Sequence, residues 1–249
     1  MAKQLMIYEK IQPLSSEAHR TYSVQVDDYK FAGELISVPV LANEIPFAAN
    51  DFPIVFSSTG AEGEYIPLAM MGLQSGENLL VSAEGKFNTR YIPGFFRRYP
   101  FVLSTGKDSD TMTLCIDDES SFIDKTGAKG NRLFDDAGAQ TPYLKEVLTF
   151  LQDYHQRAEM TQVFCKRLHE LDLLEPMQAN ITFKGHAEAG INLTGFFAVK
   201  REKLKAISDA DALDFFKKDG LELIYSHLQS MTNLNKLIDA KSARLDAAK

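Results

Sequence analysis

The sequence has no run of apolar residues approaching the roughly 20 that span a bilayer, which argues against a membrane-crossing helix and against membrane insertion. It has no basic excess either. Its 27 Lys and Arg stand against 34 Asp and Glu, a net charge of −7 with a pI near 5.3. General nucleic-acid binders are usually basic, and adhesion to an anionic bilayer needs the same sign, so both classes are disfavoured. Cysteine is scarce. Cys115 and Cys165 each sit in an apolar pattern, and they read as reduced, buried thiols rather than a disulfide or an activated nucleophile.

The usual catalytic spacings are missing as well. There is no G-x-x-x-x-G-K-[ST], no G-x-G-x-x-G and no G-x-S-x-G. Five histidines form no H-x-x-x-H or H-x-D pair. His155 and His169 would share one helix face, but fourteen residues separate them by about 21 Å, too far to share a metal. No metal or cofactor is expected, and catalytic residues stay unassigned. The opening text MAKQLMIYEKIQPL lacks the apolar core and cleavage site of a secretory signal. A cytoplasmic location is the expectation, with export by a C-terminal or non-classical signal left open.

Apolar residues make up 45% of the chain, enough for a real core. Thr21 to Val26 alternates like a half-buried strand. Prolines 39, 46 and 53 then recur every seven residues, which predicts a winding, non-helical segment entering a strand at Pro53. Short strands separated by turn residues follow, at 65–73, 78–83, 86–91, 101–103 and 111–116, in the manner of antiparallel sheet. Ser104 to Asp110 reads as a hairpin connection. Asp117 to Gln140 reads as a long acidic, Gly-rich loop, with Asp117, Asp118, Glu119, Asp124, Asp135 and Asp136 in solvated turns or holding a hard cation.

The clearest pattern comes next. Leu144, Leu151, Ala158 and Cys165 recur every seven residues beside the row Val147, Tyr154, Thr161 and Leu168. That predicts an amphipathic helix over 142–171, with Thr141 as its cap and Pro142 in its first turn. Strands are expected at 177–183 and 190–199. A helix should start at the Ser208 to Asp211 capping signal and another at Leu221. The Ala- and charge-rich tail 236–249 should fray.

The candidate site centres on RYIPGFFRRYPF, Arg90 to Phe101, where five of the eleven residues after Arg90 are aromatic. Arg90, Arg97 and Arg98 could offer guanidinium donors, with Tyr91 and Tyr99 as amphipathic walls, to a carboxylate, phosphate or sugar acid. Alternatively the arginines pair with the chain's own acids, Asp117, Asp118 and Glu119. Asn43 and Glu44 lie between apolar patches. Glu44 is a buried acid with a raised pKa, a ligand for a bound cation, or a polar turn residue that caps backbone groups.

Several stretches together carry a resemblance: VPVLANEIP (38–46), LAMMGL (68–73), SGENLLV (75–81), RYIPGFFRRYPF (90–101), LCIDDES (114–120), TFLQDY (149–154), LDLLEP (171–176) and LELIYSHLQS (221–230). In this order they resemble the SapC family of bacterial proteins, from about residue 15 to 232. The family takes its name from a gene associated with a bacterial surface layer. The resemblance implies a bacterial source, a single domain over 1–235 and a role tied to surface, export or uptake systems. It supplies no catalytic residues.

The fold expected is α+β: a curved, mostly antiparallel sheet packed against one long helix, with a C-terminal helical pair. The function expected is a non-catalytic binding or accessory protein that takes an anionic small molecule, a glycan or a peptide through the Arg/aromatic site. Two alternatives stand beside it. One is an enzyme using Glu44 as general acid or base with an arginine clamp. The other is an interaction module, docking on a protein partner through its C-terminal helices.

Overall fold

A computed structural model describes residues 7–105 and 112–247. The hairpin connection expected at Ser104 to Asp110 falls largely on 106–111, outside the described residues. In chain order the strands are β1 (Ile11–Pro13), β2 (Ser23–Val24), β3 (Ser37–Pro39), β4 (Ile54–Ser58), β5 (Tyr65–Met70), β6 (Phe101–Thr105), β7 (Met112–Asp117), β8 (Ile123–Asp124), β9 (Asn131–Arg132), β10 (Leu174–Phe183) and β11 (His186–Val199). The helices are α1 (Ile45–Ala48), α2 (Gly94–Arg97), α3 (Pro142–Glu170), α4 (Arg201–Lys205), α5 (Asp209–Lys217), α6 (Gly220–Ser230) and α7 (Leu234–Ala247). The chain forms two compact units. Met1–Asp28 and Phe95–Gln156 make one, and Tyr29–Gly94 and Arg157–Lys249 the other. The fold is α+β with antiparallel sheets, as the sequence pattern indicates.

In the first unit β7 pairs with β1 on one side and β6 on the other. Phe101 of β6 meets Tyr143 at the start of α3, ring centroids 6.5 Å apart, and Leu144 and Leu151 are buried on the same helix. The long acidic stretch is not merely a loop. It folds back twice, so that β8 and β9 pair with the two sides of β2. The backbone of Ser23–Val24 thereby finds partners on both edges, which loop status for 117–140 would have denied it. Gly130, at φ +76, makes this possible, because a Cβ there would stand 2.5 Å from the Val24 carbonyl oxygen.

In the second unit the sheet runs β10-β11-β4-β5-β3. Pro176, expected to end a connection, lies inside β10. It is tolerated because β10 is an edge strand and needs no donor on its outer side. Phe56 of β4, Cys165 and Leu168 of α3, Val199 of β11, Phe215 of α5 and Ile224 of α6 close one core. Cys165 is fully enclosed there and burial pushes its thiol up to about 12, so it behaves as a small hydrophobe.

The segment with three spaced prolines is not wholly irregular. Ala42–Glu44 is a 3-10 turn and Ile45–Ala48 a turn of α-helix, with Pro46 in the first turn, where a missing N–H costs nothing. The 78–91 region holds only an isolated bridge between Val81 and Phe87, not two strands. Asn78 explains part of this: its side chain donates to the Ala32 carbonyl and accepts from the Leu80 N–H, fixing the backbone without a ladder.

One polar seam holds the second unit's helices to its sheet. β11 and β4 share a single register pair, Phe197 with Phe56. Where that ladder stops, His227 of α6 takes over. Its Nδ1 lies 2.7 Å from the Ile54 carbonyl oxygen, and its Nε2 accepts the Val199 N–H at 3.0 Å. The ring is therefore neutral, with its proton on Nδ1. Three residues on, the Ser230 hydroxyl accepts the Ile54 N–H at 2.9 Å. Three further, Asn233 donates to the Ala49 and Phe52 carbonyls. Over its described residues, to Ala247, the tail is helical rather than frayed. α7 runs to Ala247, with Leu237 buried and Lys241 paired to Glu77 at 2.7 Å.

Candidate functional site

The residues singled out from sequence fall into separate clusters. Glu44 is buried, and three donors converge on its carboxylate. Oε2 accepts the Leu41 N–H at 2.8 Å; Oε1 accepts the Gly94 N–H at 2.7 Å and the Tyr91 hydroxyl at 2.5 Å. A second carboxylate helps. Asp51 accepts the backbone N–H groups of Arg90 and Tyr91 at 2.9 and 3.0 Å. Glu44 and Asp51 thus strap 90–94 onto the turn at 41–51. This arrangement suits the backbone-capping role for Glu44. Asp51 was not legible as its companion. The Arg90 side chain is exposed.

Arg98 lies among rings. Its guanidinium carbon is 4.7 Å from the Phe95 ring centre, 5.1 Å from Tyr154 and 5.9 Å from Tyr8. The guanidinium is partly desolvated there, and its buried Nε has no hydrogen-bond partner among the described residues. Among the described residues its guanidinium meets ring faces and no carboxylate pairs with it. Arg97 is exposed, 5.3 Å over Phe150.

Tyr99 and Asp117 are both buried, and the Tyr99 hydroxyl donates to Oδ2 of Asp117 at 3.2 Å. Burial pushes that hydroxyl up to about 12, so it stays a neutral donor. Asp117 also accepts the Glu9 and Lys10 N–H groups, at 2.9 and 2.8 Å. It therefore anchors the entry to β1. Asp117 does not pair with an arginine in any described contact; backbone amides and a tyrosine hold it instead.

The acidic stretch is likewise occupied by its own neighbours. Asp118 pairs with Lys125 and Lys10, Asp136 with Arg132, and Asp124 turns on the Thr126 and Lys129 amides. Among the described residues no cluster of His, Cys, Asp or Glu is placed to hold a metal ion.

Asn43 leads to a different feature. It lies on the rim of a groove of about 1300 Å³ in the second unit. Ala42 to Phe47 forms one side, α3 from Arg157 to Glu170 another, and the corner between α5 and α6 the third. Thr161 fixes the first two together, since its hydroxyl accepts the Ala42 N–H at 2.8 Å while donating to the Arg157 carbonyl. Ser208 caps α5 as the sequence signal indicates, by accepting the Asp211 N–H. The corner after α5 is sharp: Asp219 adopts φ +58, and Gly220 leaves the room that a Cβ, 2.5 Å from Phe215, would fill.

The groove's apolar lining reaches solvent. Phe47 is 61% exposed, Met160 60% and Val163 70%, each far above what a core-facing side chain shows. Phe47 stacks on Tyr91, centroids 6.0 Å apart and planes 19° apart, so the Glu44 strap also holds one wall of the groove. The long helix is legible from sequence, but Met160 and Val163 lie off its heptad rows, so periodicity does not mark them.

No helix among the described residues is long and apolar enough to cross a membrane. Comparison with curated proteins and with solved structures gives no match to this chain. A family model does match, over residues 14–237, which is most of the chain. On that match the protein belongs to the SapC family.

Proposed function

We propose that this protein is a non-catalytic binding or accessory protein of bacterial surface, export or uptake systems, and that the groove of its second unit receives the ligand. The observation that carries this reading is the convergence of Phe47, Met160 and Val163, all more than half exposed, on one concavity. Large apolar side chains grouped on a surface usually mark a place where something else docks. The connection with surface or transport systems rests on the family's name alone. The start of the Arg/aromatic stretch supports the reading indirectly: Tyr91, held by Glu44, braces the groove wall at Phe47.

A thermal-shift screen of peptides, glycans and anionic small molecules tests this reading. It is run on the wild type and on Val163→Glu and Arg97→Ala. Hits should vanish with Val163→Glu and survive Arg97→Ala. Hits that ignore Val163→Glu but are lost with Arg97→Ala move the binding site to the arginine stretch and overturn the assignment.

A further inference from the structure

The groove is larger than the 300–1,000 Å³ usual for a small-molecule site. Its α3 wall, Arg157 to Glu170, runs for about 20 Å at 1.5 Å per residue, which matches about four turns of a second helix. The walls are helices and a helical turn. They offer no strand edge, so an extended peptide would leave its own backbone groups unpaired in an apolar trough. A helix arrives with those groups already satisfied.

The two long walls carry opposite charge. On the α3 side are Arg157, Lys166 and Arg167 against Glu170; at the α5–α6 corner are Asp214, Asp219 and Glu222 against Lys218. Several of these are already paired. Arg167 binds Glu170 and Asp211, and Lys218 binds Asp214. Among the described residues, Lys166 on one wall and Asp219 and Glu222 on the other have no ion pair, and the Asp219 side chain does not cap α6. A ligand of one sign would satisfy one wall and be repelled by the other.

From these observations, and resting on the groove reading above, we infer that the occupant is an amphipathic helical segment of a partner protein. Its apolar stripe lies against Met160, Val163, Phe164 and Phe47. Acidic residues flank the stripe toward Lys166, and basic residues flank it toward Asp219 and Glu222. Met160 suits such a role, because an unbranched thioether adapts to the side chains that meet it.

The probe is a display library of 14-residue helical peptides with a fixed apolar stripe and randomised flanks, selected on the full-length protein. Enriched peptides should carry acid on one flank and base on the other. They should lose at least about tenfold in affinity on Val163→Glu and on Lys166→Glu, and the Lys166→Glu loss should be recovered by reversing the acidic flank of the peptide. Val163 and Lys166 are exposed, so both variants keep the fold, which circular dichroism checks. Peptides that lose binding on Val163→Glu without any flank preference overturn the inference and leave the groove reading intact. So does a dimer in light scattering that Val163→Glu abolishes, since the occupant is then a second copy. Peptides indifferent to Val163→Glu overturn both. No enrichment at all overturns the inference.

Discussion

Acidification should weaken this protein through one buried ring. His227 is fully enclosed, with the Phe56 ring 5.0 Å away, and its two nitrogens hold the Ile54 carbonyl and the Val199 N–H. Burial pulls its pKa down to about 4, against 6.5 for an ordinary histidine, while the bond to Ile54 works the other way. Protonation would set a second N–H against the Val199 N–H, donor to donor. The folded state therefore binds fewer protons than the unfolded chain between these two values. Its stability is intact above about pH 6.5, falls as pH drops toward 4, and levels off below that. A gap of about 2.5 units at 1.36 kcal/mol each corresponds to about 3 kcal/mol, of which between about 2 and 3 kcal/mol is lost from pH 7 to pH 4.5. Urea unfolding at pH 7, 6, 5 and 4.5 measures this in the wild type and in His227→Gln. Glutamine offers a donor and an acceptor but no titration. The variant starts less stable, and its loss over the range should be smaller by between about 2 and 3 kcal/mol. Carboxylates that titrate in the same range are shared by both proteins and cancel. Equal losses in the two proteins would refute the argument.

Other consequences follow from the same kind of accounting. Glu77→Ala removes the acceptor of the Leu73 and Gln74 N–H groups and the partner of Lys241, and should destabilise by about 2–3 kcal/mol in urea unfolding. Asp117→Ala strips the Glu9 and Lys10 amides and the Tyr99 hydroxyl of their acceptor, and should cost about 3 kcal/mol or more by the same assay. Gly220→Ala places a methyl 2.5 Å from the Phe215 ring, so it should lower stability by about 1–3 kcal/mol and weaken ligand binding in the groove together. Val163→Glu, at an exposed position, should leave unfolding unchanged within about 0.5 kcal/mol while abolishing binding.

What the sequence displayed was periodicity. The seven-residue rows from Leu144 to Leu168 located α3 within a residue or so, because a helix face must repeat to stay buried. The capping signal at Ser208 and the turn-bounded runs around β4, β5, β6, β7 and β11 were legible for a comparably local reason, since turn residues mark where a short strand starts and stops. β8 and β9 were not, because two-residue strands have no period and exist only where β2 needs partners. The Arg/aromatic stretch was visible as a cluster, but whether Arg98 would meet rings or acids depends on Tyr8 and Tyr154, each more than fifty residues away. His227, Ser230 and Asn233 looked like ordinary helix residues. Their value lies in Ile54, Val199, Ala49 and Phe52, which the fold brings beside them. The groove is tertiary in the same sense: three distant segments make it, and exposure of Val163 has no local signature.

The measurement closest to the central claim is chemical-shift mapping on methyl-labelled protein during titration with an enriched helical peptide. The methyls of Met160 and Val163 on α3, and of Leu223, which lines the groove from α6, should shift first and most, with saturation at one peptide per chain. Shifts confined to residues outside the groove, with the methyls of those three residues unmoved at saturation, would contradict the groove as the docking site.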